Sequence, residues 1–170
     1  MRLCAAAVVV LAAASWVALL AAAPRLVAPA SGRAAAFAAA LIYRAGALIC
    51  HQQTGRSFAS GGVQLPVCAR CTGLYAGGAA GALLAWFALA AARRARRPPS
   101  RSLSRWRWCT AASALPLLAA WTAEHVMGLG LSNLARFGTA LPLGAVVATV
   151  VVLWAGGARF EDSAAASAIH

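Results

Sequence analysis

Residues 72–108 read TGLYAGGAAGALLAWFALAAARRARRPPSRSLSRWRW. The first part, 72–92, carries no charge, and the second, 93–108, carries seven Arg. An apolar run of about 20 residues is what an α-helix needs to cross a bilayer. A short Arg-rich loop beside such a run marks the cytoplasmic side. The stretch therefore predicts a helix that enters the bilayer near Thr72 from outside and reaches the cytoplasm at Arg93.

Three more segments qualify on length: 3–23, 109–128 and 138–155. A fifth, 34–49, is shorter and contains Arg44. It reads either as a tilted span, with Arg44 held against protein or snorkelling, or as a half-inserted helix. The expected fold is all-α, a polytopic transmembrane bundle of four or five spans with no soluble domain. Composition agrees: 62% of residues are apolar and mean hydropathy is +0.76, against about half apolar in a globular chain. Of 18 charged residues 15 are basic, all Arg, giving a net charge of +12. Arg residues flanking apolar runs point to lipid headgroups as the partner, not to nucleic acid. No P-loop, dinucleotide fingerprint or internal repeat is present in the sequence.

With 93–108 inside, the loop 50–71 is extracytoplasmic, 109–128 runs outward, 129–137 lies outside and 138–155 returns. The expected organisation is an N-terminal anchor and linker (1–33), a membrane domain (34–156) and a disordered polar tail (157–170). The expected place is the inner membrane of a bacterial cell, crossed several times. The N-terminus has three readings. If 34–49 spans, it lies outside; if 34–49 only dips in, Met1 and Arg2 lie inside. The third reading is a signal peptide cleaved near Ala21-Ala22-Ala23, but the apolar run is long for one and an anchor is preferred.

Gly73, Gly77 and Gly81 recur every fourth residue and form a flat stripe that admits another backbone. The stripe serves either packing within the chain or contact with a second copy in a homo-oligomer. Pro116 and Pro142 fall inside spans and would kink them. Trp106 and Trp108 suit a headgroup boundary.

The outer loop holds the chemistry. Cys50-His51 is followed by Cys68-Ala69-Arg70-Cys71-Thr72-Gly73. Two residues between thiolates let both sulfurs reach one ion, and a nearby Gly eases the turn, so Cys50, His51, Cys68 and Cys71 read as a Zn²⁺-type ligand set. Redox exchange is another chemistry: Arg70 and a helix start at Cys71 both lower a thiol pKa, and a membrane thiol–disulfide oxidoreductase would use Cys68 and Cys71. A structural disulfide from Cys50 to Cys68 or Cys71, as expected outside the cytoplasm, is read ahead of redox exchange, though it gives His51 no task. Cys4 and Cys109 lie in apolar segments and read as packing residues.

Glu124, the one acid before the tail, and His125 come near the outer end of 109–128. An ionisable pair that deep is a site candidate, as ligand, proton relay or part of a small transporter or assembly factor. Arg136, Arg56 or Arg70 can instead neutralise Glu124 in an ion pair that locks helices. Topology thus gathers Cys50, His51, Arg56, Cys68, Arg70, Cys71, Glu124, His125 and Arg136 at one face. Gln52, Gln53, Ser57 and Gln64 are further polar groups in the loop. No enzymatic reaction is assigned by these residues.

The motif Cys50-His51-Gln52, Arg56-Ser57-Phe58, Gly61 or Gly62, Leu65-Pro66-Val67-Cys68-Ala69-Arg70-Cys71-Thr72-Gly73, Tyr75 and Gly77 resembles that of the bacterial membrane-protein family known as domain of unknown function 2085. Ser132-Asn133 and Arg136 add a weaker match, and the resemblance covers roughly 40–155. The chain departs from the family in Trp121-Thr122-Ala123-Glu124-His125, where members often carry Asp-Gly and Gln. The resemblance implies a membrane location and a Cys/His motif, and no reaction.

Overall fold

A computed structural model describes residues 2–27, 32–95 and 100–161. Five α-helices make the fold: α1 (Arg2–Leu26), α2 (Gly32–Ile49), α3 (Ala69–Arg94), α4 (Leu103–His125) and α5 (Asn133–Ala155). The only strands among the described residues are two short pairs. β1 (Ala59–Ser60) and β2 (Val63–Gln64) form an antiparallel hairpin, and β3 (Ser100–Ser102) runs parallel to β4 (Arg159–Glu161). The expected all-α bundle without a soluble domain is what forms. Four helices, α1, α2, α3 and α5, are long and apolar enough to cross a membrane. Leu84, Phe87, Leu115, Leu134 and Trp154 are each more than 60% exposed, an outer surface suited to lipid rather than water.

The glycine stripe makes the central seam. A Cβ added to Gly73, Gly77 or Gly81 would strike the carbonyl oxygens of Phe137, Leu141 and Ala145 in turn, and one on Gly144 would strike that of Leu74. The partners advance together by four residues, so α3 and α5 run parallel with backbones nearly touching. Thr149 Oγ1 donates to the Gly81 carbonyl at 3.1 Å. The stripe is therefore spent inside the chain and is not a free face for a second copy.

Two apolar clusters mark the ends of the bundle. At one end Ala6 and Val10 of α1 meet Ala82, Ala85 and Leu89 of α3 and Val152 and Leu153 of α5. Arg2, Arg93, Gly156 and Gly157 share a small cavity there. At the other end Leu20 and Ala23 of α1 meet Ile42, Cys50 and Val67. Helix α1 thus runs antiparallel to α3 and finishes beside the cysteine loop.

Helix α2 also finishes there, because Cys50 follows it directly. A helix that starts a few residues after α1 ends, and itself ends in the same cluster, does not carry the chain back across the bundle. Helix α4 does make the crossing. It starts after β3 and ends with Glu124 against Arg70 and Arg136 beside the cysteine loop. Its 23 residues rise about 34 Å, enough for a bilayer core. Glu124, His125, Ser113 and two Thr lower its hydropathy, and it is not among the four apolar candidates. Hydropathy thus selects α2, while the path of the chain selects α4.

Several boundaries differ from expectation. Helix α4 opens at Leu103, where Ser102 accepts from the Arg105 N–H at 3.4 Å, so Arg105, Trp106, Arg107 and Trp108 belong to the helix and not to an Arg-rich loop. Arg136 sits in the first turn of α5 and not in an outer loop, since Ser132 caps that helix by accepting from the Ala135 N–H at 3.2 Å. Arg159–Glu161, expected to be disordered tail, pairs with Ser100–Ser102. Residues 28–31, 96–99 and 162–170, which include parts of the linker, the Arg-rich loop and the tail, lie outside the described residues.

Candidate functional site: three thiols beside an arginine-lined cleft

Cys50 arrives from the end of α2, where its N–H donates to the Gly46 carbonyl at 2.9 Å. Cys68 is the N-cap of α3, and Cys71 lies in the first turn. The N-cap and the residue three further on face one another at a helix start, the same geometry a capping box uses. That is why two residues between the cysteines bring their sulfurs together. The Sγ atoms of Cys50, Cys68 and Cys71 all lie within 4.8 Å of one another. All five cysteines are free thiols. The N–H of Cys68 donates to Cys50 Sγ at 3.1 Å.

The Cys71 thiol, the backbone N–H groups of Cys71 and Arg70 and the Cys50 thiol stabilise a thiolate at Cys68. Against the opposing effect of burial they lower its pKa to about 5.

The loop that carries Cys50 to Cys68 is tied by its own glutamines. Gln52 Nε2 donates to the carbonyls of Tyr43 (2.9 Å) and Pro66 (2.7 Å). Gln64 Nε2 donates to the Gln52 carbonyl at 2.8 Å and to Ser57 Oγ at 3.1 Å. The Tyr43 hydroxyl donates to the Gln64 carbonyl. Gln52 has φ +48°, uncommon for a residue with a Cβ, and these bonds hold it there. Gly61 and Gly62, at φ +59° and +78°, make the two-residue turn between β1 and β2 that positive φ favours. Gln52, Gln64 and Ser57 are thus committed to the scaffold. Phe58 meets Phe137 edge to face at 5.9 Å, and Asn133 Nδ2 donates to the Ser57 carbonyl at 3.1 Å, so the loop is also fastened to α5.

Glu124 is almost wholly buried and pairs with two guanidinium groups. Arg136 donates to Oε1 from Nε and from Nη2, both at 2.6 Å, and Arg70 Nη2 meets Oε2. Arg136 Nη1 also donates to Asn133 Oδ1 at 2.7 Å. This ties the start of α3 and the end of α4 to the start of α5. Of the partners expected for Glu124, Arg70 and Arg136 make contact and Arg56 acts from farther off.

A cleft of about 370 Å³ opens beside the thiols. Cys50, His51, Arg56, Cys68, Arg70, Cys71, His125 and Arg136 all line it. Eight of the nine expected site residues thus share one cavity, and Glu124 lies behind the arginines. His51 lines the cleft but is not one of the clustered ligand atoms. The imidazole of His125 stacks on Trp121 at 4.8 Å between ring centres, and its Nδ1 lies 3.0 Å from the Trp121 carbonyl. Sequence reasoning missed Trp121 as a cleft wall; its i, i+4 spacing to His125 was the available signal. It also missed Tyr43, which no local pattern distinguishes from an ordinary apolar-face residue. Cys4 and Cys109 are exposed and remote from the cluster.

Chemically, three thiols at the end of one helix and the start of another can hold a soft or borderline metal ion. In a tetrahedral zinc–thiolate site the sulfurs stand roughly 3.8 Å apart, given Zn–S bonds of about 2.3 Å. The three sulfurs, all within 4.8 Å of one another, stand near enough to converge on one ion.

Neither a curated protein nor a solved structure matches this chain. A family model described as "Predicted membrane protein (DUF2085)" matches residues 50–150, from the first clustered cysteine to the last turns of α5. Its span holds the thiols, the arginines and the glycine seam, and the chain belongs to that family of membrane proteins.

Proposed function

We propose that this is an integral membrane metalloprotein whose Cys50, Cys68 and Cys71 thiolates bind one Zn²⁺-type ion with its fourth coordination position open to the cleft. The observation that carries the reading is the mutual approach of three sulfurs on the wall of a cavity. A structural zinc site is closed by four protein ligands, while three ligands and an exchangeable position characterise sites that act on a bound molecule. The buried Glu124–Arg70–Arg136 group is the support that fixes the start of α3, and with it the Cys68–Cys71 pair. The seven Arg of 93–108 support an orientation with that end of the bundle in the cytoplasm and the thiol cleft on the outer face of a bacterial inner membrane. The N-terminus, with Arg2 beside Arg93 and Gly157, is then also cytoplasmic.

Elemental analysis of detergent-purified protein tests the reading. One metal per chain is expected, lost in Cys68→Ser and Cys71→Ser and retained in His51→Ala. Metal-free wild-type protein that is folded and fully reduced contradicts it.

The lowered pKa of Cys68 favours a second reading, a thiol–disulfide oxidoreductase in which the Cys68 thiolate attacks a partner disulfide and Cys71 resolves it. A mixed disulfide trapped on Cys68 in Cys71→Ser supports that reading; none with any disulfide substrate counts against it. A transporter or assembly-factor role built on Glu124 draws no support from a carboxylate held by two guanidinium groups.

A further inference from the structure

We infer that the cleft beside the thiols is a binding site for an oxyanion, the phosphate group of a phosphate ester or of a lipid headgroup, held by Arg56 and Arg70. Three guanidinium groups, Arg56, Arg70 and Arg136, face this cavity, and one carboxylate, Glu124, stands against them. Three positive charges less Glu124 leave two, and the thiol cluster on the same wall, as the Cys68 thiolate alone or as three thiolates around a divalent ion, offsets one of them.

The three arginines are not equivalent. Arg136 is spent: Nε and Nη2 are on Glu124 and Nη1 is on Asn133. Arg70 gives Glu124 one amine, Nη2, while its Nε is buried with no hydrogen-bond partner. That Nε is closed off from the cleft, so contact with a ligand falls to the rest of the Arg70 guanidinium, which lines the cavity. Arg56 is half-buried on the cleft wall and makes no ion pair among the described residues. Planar guanidinium forks suit the oxygens of a phosphate.

His125 completes the wall, its Nδ1–H turned to the Trp121 carbonyl. At about 370 Å³ the cleft has the volume of roughly a dozen waters, room for a phosphate and part of what it is attached to. The N–H donors of two guanidinium groups suit the several oxygens of a phosphate better than the two of a monocarboxylate. The arginines are not metal ligands, so this inference stands apart from the metal reading.

The test is calorimetric titration of inorganic phosphate into the detergent-purified full-length chain at fixed ionic strength, with metal content measured on the same sample. Saturable binding is expected, with at least a tenfold loss in Arg56→Gln, partial recovery in Arg56→Lys and unchanged metal content in both. Arg56 is chosen because it holds no ion pair among the described residues, unlike Arg70, so the fold should survive its loss. A short-chain phosphatidic acid that binds more tightly than phosphate, with the same dependence on Arg56, assigns the site to lipid headgroups. Equal or weaker binding assigns it to soluble phosphates. Absence of saturable phosphate binding, acetate binding as strongly as phosphate, or Arg56→Gln binding like wild type overturns the inference.

Discussion

The backbone N–H of Cys68 donates to the sulfur of Cys50 across 3.1 Å, joining the start of α3 to the end of α2. Amide-to-sulfur bonds of this kind steady a thiolate and orient it. Seventeen residues, 51–67, separate the two cysteines, and the glutamine bonds of Gln52 and Gln64 hold that loop closed. The cluster is thus arranged by the fold rather than by an ion.

Cys50→Ser should therefore weaken metal binding more than Cys4→Ser or Cys109→Ser, which should leave it unchanged. Competition with a chromophoric chelator reads the difference. Loss of one thiolate from a three-sulfur set should lower affinity by at least a hundredfold, while the two remote cysteines lie outside the cluster.

In metal-free protein Cys68 should alkylate first. With its pKa at about 5, it is almost wholly thiolate at pH 7, whereas an ordinary thiol near 8.5 is a few per cent ionised. Its rate should hold steady from pH 8 down to about 6 and fall as pH drops through 5, because protonation removes the nucleophile. Peptide mapping after brief iodoacetamide treatment checks both the site and the profile; a rate that declines steadily from pH 8 to 6 would mean an unperturbed thiol.

Glu124→Gln should destabilise the bundle by about 3–5 kcal/mol, since it strands two guanidinium groups around a neutral amide. Thermal unfolding in detergent would show it as a large drop in midpoint. Arg136→Ala should cost a similar amount, and the double variant less than the sum, because both changes remove one interaction.

Gly77→Ala should be among the most damaging small substitutions in the chain. Its new methyl would meet the Leu141 carbonyl, a backbone atom that cannot turn aside. Overpacking of this kind costs about 1–3 kcal/mol or more. The loss should appear as lower stability of the monomer, with no change in oligomer size on detergent gel filtration.

Most of the bundle is legible in the sequence because apolar runs of spanning length have no other stable home. The helix ends were less so. Ser102 and Ser132 act as caps, and a residue-type pattern does not distinguish a capping serine from a loop serine until the first turn is in place; for that reason the sequence alone leaves Arg136 in an outer loop. The path of α2 was open because length and hydropathy cannot say whether a helix returns to the end it started from. The thiol cluster followed from spacing, since N-cap and N3 positions always face each other. The roles of Gln52, Gln64 and Tyr43 did not, because they arise from contacts across the loop. That Arg70 and Arg136 share Glu124 while Arg56 makes no ion pair among the described residues depends on how α3, α4 and α5 converge in three dimensions.

X-ray absorption at the metal edge of zinc-loaded, detergent-purified protein tests the central claim most directly. The account predicts three sulfur scatterers at about 2.3 Å and one lighter ligand at about 2.0 Å, with two sulfurs remaining in Cys50→Ser. A first shell of nitrogen and oxygen alone, or the same spectrum in Cys50→Ser, would contradict it.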